Sequence, residues 1–213
     1  MKVRIDEVRG TNLARAEKVL AGIPGGVEKA IQGAMTRAVS HLRTKSTGRI
    51  TERYAISAGA VRANENISVS YRYGGGGVSA DVTFSGARIP LTRFRGSSSS
   101  PGYDRSRRVP VLTSHGWKLV SPGVNGRGHI LNSTSPQVLT NTFVAHFRSG
   151  HTGIFERTGA VNGSGRDAIG EKYGTSVAEM VGHGEVAEKL ANDTMEAFDA
   201  RIEHEITRIL AGW

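Results

Sequence analysis

Two apolar periods run along the chain and divide it into helical and extended territory. From Val27 to Tyr54, Val27, Ile31, Ala34, Ala38 and Leu42 recur at steps of three and four, with Met35 and Val39 beside them. That spacing draws a single stripe along a helix of 3.6 residues per turn. Glu28, Lys29, Gln32, Arg37 and Arg43 fall on the opposite face, and Ala30, Ala34 and Ala38 are small enough to let a sheet approach closely. The same spacing returns at Val186, Leu190, Thr194, Ala197, Phe198, Ile202, Ile206, Ile209 and Trp213, which predicts a second long helix from Glu185 to Trp213. Glu185 and Glu188 in its first turn, and Arg208 near its end, suit the helix dipole.

Between these helices the period is two, the signature of strands. Ile67, Val69 and Tyr71 alternate with polar residues, Gly74 to Gly77 turns the chain, and Val78, Ala80, Val82 and Phe84 alternate on the way back. This is a hairpin; the glycine run lacks the Lys-Ser/Thr ending and the following helix of a phosphate loop. A second hairpin is expected from Val109 to Val120, with Val111, Trp117 and Leu119 in its strands and Ser114-His115-Gly116 at its turn. The apolar-densest segment of the middle is Leu139 to Gly159. There Phe143, Ala145 and Phe147 alternate with Val144 and His146, Ser149-Gly150-His151-Thr152-Gly153 reverses the chain, and Ile154 and Phe155 resume. It reads as a hairpin with two aromatics on its inner face.

Weaker signals complete the outline. Val3, Ile5 and Val8 suggest a short strand, and Leu13, Ala16 and Leu20 a short helix ending at Gly22. Ser57 is placed to cap a helical turn running to Asn64. Ile89 to Phe94 reads as a short strand, while Pro122 to Pro136 and Val161 to Gly184 read as largely irregular. The predicted fold class is α+β, in one domain spanning 1–213. It comprises a long helix over 26–54, a β-rich middle over 65–158 and a C-terminal helix over 185–213. The middle is expected to form an antiparallel sheet of roughly five to seven strands packed with both helices.

Charge adds a candidate contact surface. The formal net charge of the 213 residues is +9. Arg88, Arg93, Arg95, Arg105, Arg107 and Arg108 stand against Asp104 alone, with Phe94 and Tyr103 interleaved. The segment 95–108, RGSSSSPGYDRSRR, has too little apolar surface to order itself and is expected to be a mobile or partner-ordered loop. Arginines with aromatics contact phosphates and stack on bases, and they equally grip acidic protein surfaces. No nucleic-acid-binding fold accompanies the loop, which favours a protein contact. The candidate partner or DNA contacts are Arg93, Arg95, Tyr103, Arg105, Arg107, Arg108 and, at a turn tip, His151.

Little chemistry is expected. The chain has no Cys, which excludes disulfides, thiolate metal sites and cysteine nucleophiles and suits a reducing compartment. The seven histidines form no His-Glu-x-x-His pair. Glu203-His204-Glu205 cannot converge on one ion, because adjacent helical residues point about 100° apart; a solvated helix face is the expectation. There is no Gly-x-Ser-x-Gly elbow, and the aspartates are scattered. No catalytic, cofactor-binding or metal-binding residues are expected, and the chain is not expected to be an enzyme. No window is apolar enough for a membrane helix, and MKVRIDEVRG lacks the apolar run of a signal peptide. The protein is therefore expected to stay where it is made unless something carries it, without contact with a membrane.

One stretch is familiar. FVAHFRSGHTGIFERTG, from Phe143 to Gly159, resembles the signature of the phage minor tail protein Z family: an apolar strand, a Ser-Gly-His turn and a Gly-aliphatic-Phe-x-Arg strand. AMTRAVSHLRTKSTGRITERYAIS upstream and FDARIEHEITRIL at the end resemble helices of the same family, in the same order. Where the family has a Pro-containing apolar segment after the hairpin, this chain has AVNGSGRDAIGEKYGTSV. The resemblance implies a structural protein of the virion tail, assembled in the host cytoplasm and acting in tail completion near the head–tail junction. Its implied partners are other tail and neck proteins and further copies in a ring, with phage DNA as an alternative contact for the basic residues.

Overall fold

The structure is a computed structural model of the chain and describes residues 2–6, 11–74, 77–99, 102, 109–113, 116–120, 125–161, 163, 165 and 167–212. Its contacts divide into two compact units. The first comprises Met1–Ile50, Val61–Ala87 and Ser176–Trp213, and the second Thr51–Ala60 and Arg88–Thr175.

The first unit contains strand β1 (Lys2–Asp6) and helices α1 (Thr11–Leu20) and α2 (Gly26–Arg53, to Ile50). After the end of α3 (Ala58–Asn64) come the strands β2 (Asn66–Gly74) and β3 (Gly77–Ser85). The helices α4 (Val177–Gly182) and α5 (Gly184–Leu210) close it. Both expected long helices are present, and most of the stripe read from the sequence is buried: α2 buries Ala30, Ile31, Ala34, Met35, Ala38, Val39 and Leu42, while Val27 is half-buried. The second helix ends at Leu210, and Trp213, its expected last residue, lies outside the described residues. α5 buries Val186, Leu190, Thr194, Phe198, Ile202 and Ile206. Ser57 Oγ accepts a hydrogen bond from the Ala60 amide at 3.2 Å, the expected cap of α3.

β3 is the middle strand of an antiparallel β1-β3-β2 sheet. In the register Val82 pairs with Val3 on one side and Val69 on the other, and Ala80 pairs with Ile5 and Tyr71. α1 and α4 pack along α5, and α4 also meets β3. Arg49 on α2 forks onto Asp193 on α5, Nε to Oδ2 and Nη2 to Oδ1, both at 2.7 Å. The Glu203-His204-Glu205 run is not the uniformly solvated face expected. Glu205 is 1% exposed, because it sits against Gly33 of α2 and is held by two arginines of its own helix.

Among the described residues the second unit is built from β4 (Arg88–Pro90), a 3-10 turn (Leu91–Arg93) and eight further strands. These are β5 (Val109–Thr113), β6 (Gly116–Val120), β7 (Arg127–Gly128), β8 (Gln137–Val138), β9 (Thr142–His146), β10 (Thr152–Val161), β11 (Asp167–Glu171) and β12 (Tyr173–Ser176). Instead of one sheet of five to seven strands, the described strands of the molecule form five small sheets. They are β1-β3-β2, β11-β10-β9, β12-β4, β5-β6 and β7-β8. The end of α2 is anchored here by Asn132, whose side-chain amide donates to the carbonyls of Thr51 and Glu52 at 3.0 and 2.9 Å and whose backbone amide donates to that of Arg53. Carbonyls of a last helical turn lack intrahelical donors, and Asn132 supplies them.

Two further expectations need correction. Val161 to Gly184 is not irregular but holds β11, β12 and α4. These strands carry one or two apolar residues each and take their order from their ladder partners, so no periodicity announces them. Ile89 to Phe94 is extended only to Pro90 before the 3-10 turn.

Candidate functional site

The β9–β10 hairpin forms in the expected register, with Val144 opposite Ile154 and Phe143 opposite Phe155. The faces differ from the expected ones. Thr142, Val144 and Ile154 point inward, and Phe143, Ala145 and Phe147 line the other, less covered face. Gly126 explains the choice: a β-carbon there would lie 2.6 Å from Ile154 Cγ2, so the chain backbone packs directly on the Val144–Ile154 face. The aromatic face covers itself. Phe155 lies edge-on to Phe147 at 5.0 Å between centroids and 6.2 Å from Phe143, and the Arg157 guanidinium lies over the Phe143 ring at 5.5 Å.

His151 stands at the tip. The Phe147 amide donates to the His151 carbonyl at 2.8 Å and the Gly150 amide to the Phe147 carbonyl at 2.9 Å, which closes the loop. Gly150 has φ of +87°, a conformation glycine adopts without penalty. The imidazole stacks on Phe147 with rings parallel to 1° and centroids 6.4 Å apart, and lies edge-on to Phe155. Its Nε2 is 2.9 Å from Glu171 Oε1 on β11, and the Tyr173 hydroxyl donates to Glu171 Oε2 at 2.8 Å. That hydrogen bond to the carboxylate, then burial and the carboxylate's charge, push the Tyr173 phenol above its ordinary pKa. One carboxylate thus orients an imidazole and a phenol side by side. Gly153 makes room for it, since a β-carbon there would meet Glu171 Oε1 and stand 2.8 Å from Phe155 Cε2.

The result is a surface patch with an aromatic floor and a polar rim. Phe147 is 37% exposed and Tyr173 48%, although each has partners inside the patch. Aromatics within a polar border are the composition of protein-contact surfaces. Glu171 and Tyr173 were not singled out from the sequence; the available signal was their spacing of two, which sets both on one side of an extended segment.

Of the other candidates, Arg93 and Arg95 are exposed. The Arg95 amide donates to the Ala55 carbonyl at 2.5 Å, and its carbonyl lies 2.5 Å from His129 Nδ1, whose Nε2 is 2.7 Å from the Thr134 carbonyl. The backbone of Arg95 is therefore fixed while its guanidinium faces solvent. Among the described residues His151 meets Phe147, Phe155 and Glu171, and neither arginine. Tyr103, Arg105, Arg107 and Arg108, and with them most of the expected 95–108 loop, lie outside the described residues.

Among the described residues no His, Asp and Glu side chains gather in a group able to hold a metal ion, and no helix is long and apolar enough to cross a membrane. Comparison with protein families, with curated proteins and with solved structures finds no match.

Proposed function

We propose that this protein is a structural component of a bacteriophage tail, not an enzyme. In this reading it acts in tail completion near the head–tail junction and works through contacts with tail and neck proteins and with further copies of itself. The observation that carries the reading is the Phe143–Gly159 hairpin, whose sequence resembles the minor tail protein Z signature and is flanked in the family's order by Ala34–Ser57 and Phe198–Leu210. Support of a different kind comes from the surface. The patch beside the hairpin tip exposes Phe147 and, from β12, Tyr173, and the two-stranded β5-β6 pair carries Trp117 at 73% exposure. Two-stranded hairpins are marginal by themselves, and a neighbouring subunit would cover such groups.

A closed ring needs two different patches per subunit, and a stable contact buries about 800 Å² on each partner. Size-exclusion chromatography with mass measurement, on the protein alone and mixed with tail tube protein, tests the reading. A complex of defined stoichiometry is expected; a monomer under every condition would count heavily against it.

The six arginines between Arg88 and Arg108 favour a second reading, contact with phage DNA at the tail entrance. It requires duplex binding that falls steeply with salt and is lost on replacing Arg105, Arg107 and Arg108 with Ala.

A further inference from the structure

We propose that the groove between α2 and α5 in the first unit is a phosphate-binding site. This goes beyond the tail reading and does not rest on it, and it uses none of the arginines of the 88–108 segment.

The groove is built from two helical stripes. Lys29, Gln32, Gly33, Thr36, Arg37 and Ser40 recur at steps of three, one, three, one and three, so they share one face of α2. Arg201, Glu205 and Arg208 share one face of α5 and form the other wall. The groove is open to solvent and offers about 560 Å³, within the range of about 300–1,000 Å³ usual for small-ligand sites. Gly33 makes the floor. A β-carbon there would lie 2.8 Å from Glu205 Cδ, so the absence of a side chain lets the carboxylate settle against α2 and leaves the space above it open.

Among the described residues that line the groove Glu205 is the only acid, and its oxygens are committed. Arg201 Nη2 is 2.6 Å from Oε1, and Arg208 donates through Nε and Nη2 to Oε2, both at 2.8 Å. A guanidinium has five N–H donors, so both arginines keep donors beyond those Glu205 takes. Among the described residues the buried Arg201 Nε has no hydrogen-bond partner. Lys29 and Arg37 form no ion pair among the described residues and are exposed. Four cations against one neutralised carboxylate leave a groove of +3, with Gln32, Thr36 and Ser40 adding an amide and two hydroxyls. Cations that fix one another's position through a shared carboxylate, beside neutral donors, fit the several acceptor oxygens of a phosphate.

Calorimetric titration with inorganic triphosphate at low salt (about 50 mM) tests this. We expect saturable binding that weakens as salt rises. Lys29→Ala with Arg37→Ala should weaken it about tenfold and flatten the salt dependence. Both side chains are exposed, so circular dichroism and Tm should be unchanged; Arg37→Glu, at the same exposed position, should weaken binding further. A short DNA duplex distinguishes the phosphate's source. Displacement of triphosphate by the duplex assigns the site to a nucleic-acid backbone, and indifference to it assigns a free phosphate compound. Absence of saturable binding, equal binding by the double variant, or equal affinity for citrate would each overturn the proposal.

Discussion

Gly33 and Asp193 show how single residues set the approach of α2 to α5. In an exposed helix, alanine is better than glycine by about 1 kcal/mol. At Gly33 the sign should reverse, since the new methyl meets Glu205 Cδ at 2.8 Å. Gly33→Ala is expected to lower the urea midpoint of unfolding; a raised midpoint would mean that the two helices separate freely. Asp193 gives a pH signature. The fork from Arg49 holds its carboxyl below the ordinary value, against a smaller opposing effect of burial. A lowered native pKa stabilises the fold above the unfolded value, about 3.9, and that stabilisation disappears as pH falls from there through the native value. Stability measured from pH 5 to pH 2 should therefore fall less steeply in Arg49→Ala than in the parent.

At the scale of elements, α4 depends on its first turn. Ser176 Oγ accepts from the Glu179 amide at 3.2 Å while the Glu179 carboxylate accepts from the Ser176 amide at 2.8 Å, a reciprocal capping box. Ser176→Ala should cost about 1 kcal/mol, read by chemical denaturation. The same scale explains what could be read in the chain. α2 repeats its apolar stripe from Val27 to Leu42 and α5 from Val186 to Ile209, and β2–β3 alternates over a full strand on both sides of its turn, so these were legible. β11 and β12 were not, because four or five residues with one or two apolar side chains carry no period. The inward face of β9–β10 was misread for another reason. Phe143 and Phe147 are the larger side chains, but Gly126 lies against Ile154, and the available space outweighed hydrophobicity.

At the scale of the molecule, the helices and hairpins were legible but not the grouping of strands into five small sheets, since pairings such as β12 with β4 join segments more than eighty residues apart. The hairpin-tip patch was half legible: His151 was marked by its turn, whereas Glu171 and Tyr173 reach it only through folding. If that patch is a subunit contact, Phe147→Ala with Tyr173→Ala should leave the Tm within a few degrees and abolish co-elution with tube protein. Retained co-elution would move the contact elsewhere.

The first unit is assembled from three stretches of chain, and the second is threaded between them. Arg15 meets Glu203 across 188 positions, and Arg49 meets Asp193 across 144. On a ribosome, α1 and α2 emerge early with their apolar stripes uncovered and wait for α5 until everything between has been made. Contacts so distant along the chain form slowly. The nascent protein is thus expected to engage a chaperone through α2 and to release it only once α5 has docked.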